Sequence, residues 1–198
     1  MLIGLTGLYC SGKNHIAALL ERRGLPVLDI DKLGYIAIEN KKADICARFG
    51  TEIQNRDGSI NRRLLGNKVF GKEDEMNALE AIVHPEADRL TGEWIAARSG
   101  NHCVINAALL HKSTLFGRLD GIILVSAPWL IRLIRAKRRD KLPWPAIVKR
   151  FASQKQFTAQ YSAKNADIYK VENPETKKQG SARLERQIDA ILSKLGLP

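Results

Sequence analysis

The sequence predicts an α/β fold of three layers, a mostly parallel five-stranded sheet with helices on both faces. Three observations carry this prediction. Short apolar runs alternate with amphipathic stretches through the 198 residues. The first run enters a glycine loop that opens a helix. No internal repeat, low-complexity tract or long linker interrupts the chain, so residues 1–198 read as one continuous domain.

The elements follow in order. "LIGLT" is a short buried strand ending at Gly7, and "GKNHIAALLERRG" from Gly12 carries Ile16, Ala17, Leu19 and Leu20, with Gly24 as its stop. "LPVLDI" is a second strand ending near Asp29, and a helical stretch runs from about Asp31 to Phe49. Residues from roughly 50 to 99 are helix-rich. "NRDGS" is a turn centred on Asp57-Gly58, Asn61 caps a helix through Phe70, and a second helix covers about Glu73 to Val83. A third starts at Pro85, a favoured first-turn residue, with Leu90, Trp94 and Ile95 on one face. "HCVINA" and "GIILVS" return as the third and fourth strands. "PWLIRLIRAKRRDK" is a basic amphipathic helix that "LPWP" breaks. Two more helical pieces lead to an edge strand, "DIYKVE", and a terminal helix around Ser181 to Leu195.

Composition narrows the partners without choosing one. The net charge of +11 asks for a partner of opposite sign. Nucleic acid is the first suspect, yet no nucleic-acid-binding signature is present, and the aromatic 6% does not interleave the basic residues. A small polyanion such as a nucleotide accounts for the charge equally well. Runs such as "GIILVSAPWLI" are too short to span a bilayer, and "MLIGLTG" lacks the basic flank of a signal peptide. Cys10, Cys46 and Cys103 are dispersed, odd in number and without metal-ligand spacing, which fits a reduced cytosolic setting. The expectation is a cytoplasmic monomer or weak oligomer with no nucleic-acid or membrane partner.

The chemistry concentrates in "GLTGLYCSGKN". Gly7, Gly12 and Lys13 have the spacing G-x-x-x-x-G-K of a phosphate-binding loop. Glycine lets backbone N–H groups approach phosphate, the helix end behind them favours anions, and Lys13 reaches the β/γ-phosphates. An ordinary glycine-rich turn with a solvated lysine is the alternative. Asn14 stands where a Ser or Thr hydroxyl would ligate Mg²⁺. Its carboxamide oxygen could bind the metal directly, act through a water, or leave it alone. "LDID" sets Asp29 and Asp31 at the C-terminal end of the second strand, where ligands of open α/β sheets sit. One carboxylate could act as base for an attacking hydroxyl with the other near Mg²⁺; or the pair is a helix cap and a strand-end acid, and Asp31 could be both cap and catalytic group. Arg62 and Arg63 lie at a helix start, where basic residues gain nothing from the dipole, so phosphate binding or a solvated face would explain them. His84 sits just before a helix. In the basic helix Arg132, Arg135 and Arg139 share one face, read as a solvated stripe opposite Leu130, Leu133 and Ile134, or as a lid whose arginine closes over a transferring phosphoryl group.

In this order the motifs resemble those of the dephospho-coenzyme A kinase family over nearly the full length. "LTG" with "SGK" resembles its phosphate loop, "VLDID" its D-x-D, "DGSINRRLLGNKVF" its helical CoA-domain segment and "AIVHPE" its His-Pro. "ALL" is similar to its Pro-Leu-Leu segment, "RRD" to its lid arginine, Gln154 to a glutamine after the lid, and "ADIYKVEN" to its Ala-Asp strand ending in Asn. Asn14, Ala108 (for proline), Lys112 (for an acid), a longer segment between Gln154 and Ala166, and "ENPE" depart from the pattern.

The resemblance implies a P-loop kinase-type core (about 1–49, 101–127 and 165–198), a helical CoA-binding insertion (about 50–100) and a short lid (about 128–164). It implies phosphorylation of the ribose 3′-hydroxyl of dephospho-CoA by ATP with Mg²⁺. Asp31, Lys13 and Arg139 would be catalytic, with Asn14 and Asp31 toward the metal. Gly7, Cys10, Ser11, Gly12, Lys13, Asn14, His15 and Asn173 would bind nucleotide. Thr6, Asp29, Asp31, Arg62, Arg63, His84 and Leu109 would bind the acceptor. The rival readings are a P-loop kinase for another small acceptor and a non-catalytic nucleotide or CoA binder.

Overall fold

The structure, a computed structural model, describes residues 1–98, 100–140, 142–152, 154, 157, 161, 167–174 and 182–197. Along the chain run β1 (Leu2–Gly7), α1 (Lys13–Arg22), β2 (Val27–Asp29), α2 (Ile30–Asn40), α3 (Lys42–Phe49), α4 (Arg62–Val69) and α5 (Glu73–Ala96). There follow β3 (Cys103–Asn106), β4 (Gly121–Ser126), α6 (Trp129–Asp140), α7 (Trp144–Ala152), β5 (Ile168–Glu172) and α8 (Ala182–Lys194). Two compact units result: Met1–Leu28 with Gly100–Pro198, and Asp29–Ser99.

The first unit is built on the sheet, in the order β2-β3-β1-β4-β5. Strand β1 lies parallel to both β3 and β4, with Leu5 opposite Asn106 and Thr6 opposite Leu124, and β4 pairs parallel with β5. All six residues of β1 are buried, as expected for a central strand covered on both faces. One layer of the core joins Ile3, Leu5, Val104, Ile123, Val125 and Val171 to Ile16, Leu19 and Leu20 of α1 and Leu184, Ile188 and Leu192 of α8. Burial of Leu19 and Leu20 contributes about 1.5–3 kcal/mol each, and this layer fixes α1 directly behind the glycine loop. The five expected strands are all present, with "DIYKVE" at the edge. Of the two helical pieces expected after "LPWP", α7 is the first; the second falls largely outside the described residues, as does Ser181 at the expected start of the terminal helix.

The second unit has its own core of Ala37, Ile45, Phe49, Ile53, Ile60, Leu65, Val69 and Val83. Asn61 caps α4 as its sequence suggests, its side chain accepting from Arg63 N (3.2 Å) and Leu64 N (3.1 Å). Gly58, at φ 79°, closes the preceding turn. Two expectations are corrected here. The helical stretch from 31 to 49 is two helices, α2 and α3, meeting at Lys41. On one straight helix Ala37, Ile45 and Phe49 would spread over about 120° of its circumference, and the break brings all three into one core.

The helices expected on either side of Pro85 are one continuous helix, α5, with Pro85 inside it and His84 in mid-helix. Pro85 has no N–H for the carbonyl of Ala81, but both residues lie on the exposed face, where water can serve that carbonyl. The opposite face is anchored by Glu86, which is 8% exposed. Its carboxylate accepts from Asn40 Nδ2 (2.6 Å) and from Arg89 Nε (2.8 Å) and Nη2 (2.7 Å), tying α5 to α2.

Arg89 first, then Asn40, lowers the Glu86 pKa from 4.5 to about 2. The folded state therefore holds this proton more weakly than the unfolded chain does. The stabilisation is complete above about pH 4.5 and is lost as pH falls toward 2. Glu86→Gln is expected to lower the urea midpoint at neutral pH, and the gap from wild type should close as the titration approaches pH 2.

Candidate active site

The loop between β1 and α1 is held in one conformation by its own backbone and by distant side chains. Leu8 N donates to Val125 O (3.1 Å) and Ser11 N to Leu8 O (2.9 Å). Cys10 (φ 59°) and Gly12 (φ 96°) are left-handed. A Cβ on Gly7 would lie 2.7 Å from Val125 O, and one on Gly12 2.3 Å from Asn173 Nδ2, so both glycines are required by close approach. Helix α1 starts at Lys13 with Gly12 as its N-cap, without a side-chain cap and without an acid in its first turn. The positive end of its dipole is thus uncancelled by protein carboxylates of that turn, the condition that suits an anion. Asn14 is exposed, and Lys13 and His15 are half-buried, in the same turn.

The loop carbonyls are served from behind by α6. Arg132 Nε donates to Tyr9 O (2.8 Å), and Arg135 Nη1 donates to Cys10 O (3.2 Å) and Ser11 O (2.9 Å). Arg135 Nη2 also donates to Asn173 O (3.2 Å) and Oδ1 (3.1 Å). Asn173, 3% exposed at the end of β5, completes the set by donating its Nδ2 to Ser11 O at 2.9 Å and its backbone N–H to Ser126 O. Gln154 Oε1 accepts from Tyr9 N at 2.6 Å. Each carbonyl thereby keeps a partner away from bulk water, a requirement for any buried polar group.

These contacts correct the reading of α6 as a solvated arginine stripe. Arg132 is 8% exposed, whereas Leu130 (56%) and Ile134 (42%) face solvent. The arginine face is turned inward because the loop carbonyls need charged donors, a demand that amphipathic periodicity does not register. Arg139, at the end of the helix, is the exposed member and pairs with Asp140. Arg132, Arg135 and Gln154 are the loop's supports that sequence reasoning left without this role; the i, i+3, i+7 spacing of the arginines was the available signal.

Cys10 is not an acid–base group of this loop. Burial raises its thiol pKa, against the pull of Arg139, Arg132 and Arg135, so it stays protonated at neutral pH. Thr6 is fully buried, its Oγ1 3.4 Å from Ala108 O and 3.3 Å from the Tyr161 hydroxyl. Leu109, in the "ALL" segment after β3, is 52% exposed while its neighbour Leu110 is fully buried.

In the second unit Asp29, not Asp31, is the cap of α2, its carboxylate accepting from Lys32 N at 3.3 Å. Asp31 is exposed in the first turn, where a carboxylate is favoured by the dipole. Arg62 is exposed at the start of α4 and stacks on Tyr35 of α2 at 4.0 Å, and Arg63 beside it is exposed. His84 is exposed on α5. This unit thus presents a carboxylate, two guanidinium groups and an imidazole on its surface.

A glycine loop between the first strand and first helix of a parallel 2-3-1-4-5 sheet, with a lysine opening that helix, defines a P-loop kinase. Comparison with known proteins agrees and goes further. Residues 1–178 match the dephospho-CoA kinase family. The dephospho-CoA kinase of Treponema pallidum is 32% identical over 99% of this chain and 96% of its own length. That of Thermus thermophilus is 35% identical over 98% and 92%. The crystal structure of TT1252 from Thermus thermophilus superimposes with a TM-score of 0.80 at 34% identity, covering 98% of this chain and 97% of that one. The chain belongs to the dephospho-CoA kinase family.

Two substitutions separate the loop's strain from its support. Cys10→Gly is expected to raise stability by about 1 kcal/mol, since a side chain at positive φ is strained, read as a higher denaturant midpoint. Arg135→Ala is expected to cost about 2–3 kcal/mol by stripping charged donors from the Cys10, Ser11 and Asn173 carbonyls, and to weaken ATP binding by calorimetry.

Proposed function

We propose that this protein transfers the γ-phosphoryl group of ATP to the ribose 3′-hydroxyl of dephospho-CoA, giving coenzyme A and ADP. The observation that carries the reading is the braced glycine loop at the uncapped start of α1, in a chain of this family. In this reading the backbone N–H groups of Cys10, Gly12, Lys13 and Asn14 and the Lys13 ammonium take the phosphates, with Gly7, Ser11 and His15 shaping the loop. Asn173 acts on the nucleotide through the loop that it braces.

Asp31 accepts or orients the proton of the attacking hydroxyl, and Arg139 and Lys13 offset charge gathering on the phosphoryl oxygens. Arg62, Arg63 and His84 hold the acceptor's anionic groups, with Asp29 fixing the helix that carries Asp31. Leu109 lines the acceptor side after β3, and the buried Thr6 of β1 supports that segment from beneath, its Oγ1 3.4 Å from Ala108 O. The segment 50–100 serves as the CoA-binding part and residues around 128–164 as a lid; of these the described α6 is tied to the loop by Arg132 and Arg135.

Mg²⁺ belongs to this reading, and the residues fit it. Among the described residues no group of three or more His, Cys, Asp or Glu could hold a metal, so the ion would arrive with the phosphates. Hard donors in the first unit include the exposed Asn14 carboxamide and, buried and without a hydrogen-bond partner among the described residues, Ser11 Oγ and Asn106 Oδ1. When bound, the ion neutralises phosphate charge. The proposed location is the cytoplasm, where the thiols of Cys10, Cys46 and Cys103 stay reduced. Among the described residues no helix is long and apolar enough to cross a membrane.

The direct test is ADP release with Mg²⁺, ATP and dephospho-CoA. Turnover is expected to require dephospho-CoA and to fall at least about a hundredfold in Lys13→Ala and in Asp31→Asn. Release that ignores the acceptor, or that survives both substitutions, would overturn the reading. Asn14→Ser, run alongside, is expected to lower the Mg²⁺ concentration at half-maximal rate while leaving the acceptor KM unchanged.

A further inference from the structure

One carboxylate gathers the charged groups at the end of α6. Asp140 accepts from Arg139 Nε at 2.6 Å and Nη2 at 3.2 Å, from Arg150 Nη1 of α7 at 2.9 Å, and from the hydroxyl of Tyr9. Tyr9 is a residue of the glycine loop itself, between Gly7 and Gly12. Its ring lies under both guanidinium groups, 5.2 Å from Arg139 and 5.6 Å from Arg150, and meets Phe151 edge-on at 5.6 Å.

This arrangement is not what helix geometry alone supplies. Successive residues on a helix point in different directions, so Arg139 and Asp140 have no intrinsic reason to pair. Both meet Tyr9, Asp140 by accepting from its hydroxyl and Arg139 over its ring. The Asp140 side chain is 13% exposed and that of Arg139 61%, so the anion is seated while the cation remains reachable. Arg139 keeps Asp140 ionised by lowering its pKa, and burial holds the Tyr9 phenol in its donating, protonated form by raising its own. A free arginine side chain loses rotamer entropy on being fixed. Here the loss is met before any ligand arrives, which is preorganisation in the ordinary sense.

We propose that Asp140 is a positioning residue which, with Tyr9 as its anchor on the glycine loop, holds Arg139 where the transferring phosphoryl group will develop charge. The inference rests on the kinase reading above and adds to it the residues through which Arg139 is aimed. Asp140 itself touches neither substrate; it acts through the guanidinium.

A double-mutant cycle tests it, with kcat and both KM values measured for wild type, R139A, D140N, R139A/D140N, Y9F and R139A/Y9F. D140N is expected to lower kcat about tenfold with the dephospho-CoA KM within twofold, and Y9F about threefold in the same sense. In the R139A background either further substitution should change kcat by less than about twofold, because its route of action is gone. If R139A slows the enzyme but D140N multiplies with it, or if D140N leaves kcat alone, the positioning role is overturned while the kinase reading stands. If R139A itself leaves a dephospho-CoA-dependent kcat intact, the role of Arg139 falls and the proposal with it. ADP release by wild type that ignores dephospho-CoA would instead remove the kinase reading. Should D140N fail to fold by circular dichroism, the Y9F arm, which leaves the carboxylate in place, decides the matter.

Discussion

The structure depends on keeping a short loop in a conformation that the chain would not adopt by itself. Two left-handed residues, Cys10 and Gly12, turn the backbone between β1 and α1, and Asn173 sits so close to Gly12 that no side chain is admitted there. Turning a loop in this way leaves its carbonyls on the protein side. Tyr9, Cys10 and Ser11 would each carry an unmet acceptor if α6 and β5 did not bring Arg132, Arg135 and Asn173 to them. The sheet supplies the rigidity behind this, since β1 is buried along its whole length and α1 is locked onto it by Ile16, Leu19 and Leu20.

That support divides the basic residues of α6 by function. Arg132 and Arg135 spend their donors on the loop and are drawn inward, while Arg139 extends beyond the end of the brace. A helix of twelve charged and apolar residues thus braces the loop along one face and carries an exposed arginine at its end. The same economy appears in the second unit, where Glu86 is the buried ion that fixes α5 to α2 and leaves Asp31, Arg62, Arg63 and His84 on the outside. In each unit a buried charge is hydrogen-bonded while other charged groups stay exposed.

Much of this was legible in the residues. The five strands, the glycine loop, the Asn61 cap and the boundaries of α1 follow from period, turn residues and cap chemistry, which are local properties. The family too was legible, because its motifs occur in order at definite spacings. Errors arose where a local preference met a tertiary demand. Proline was read as a helix start, yet contacts on the far face carry α5 through Pro85. Asp31 suits a cap by residue type, but α2 starts at Ile30, which gives that place to Asp29, two residues earlier.

By itself the sequence determined the α/β class, the phosphate loop and the residue types available for phosphoryl transfer, since each is written in neighbours along the chain. Only the tertiary structure decided which arginines brace the loop and which stays exposed. Ser11 and Asn173 are 162 residues apart, and Tyr9 and Asp140 are 131 apart, so no local pattern encodes their meeting. Hydrogen bonds to buried carbonyls are satisfied by whichever donor the packed core delivers, and that delivery is settled only when the sheet has brought its strands together.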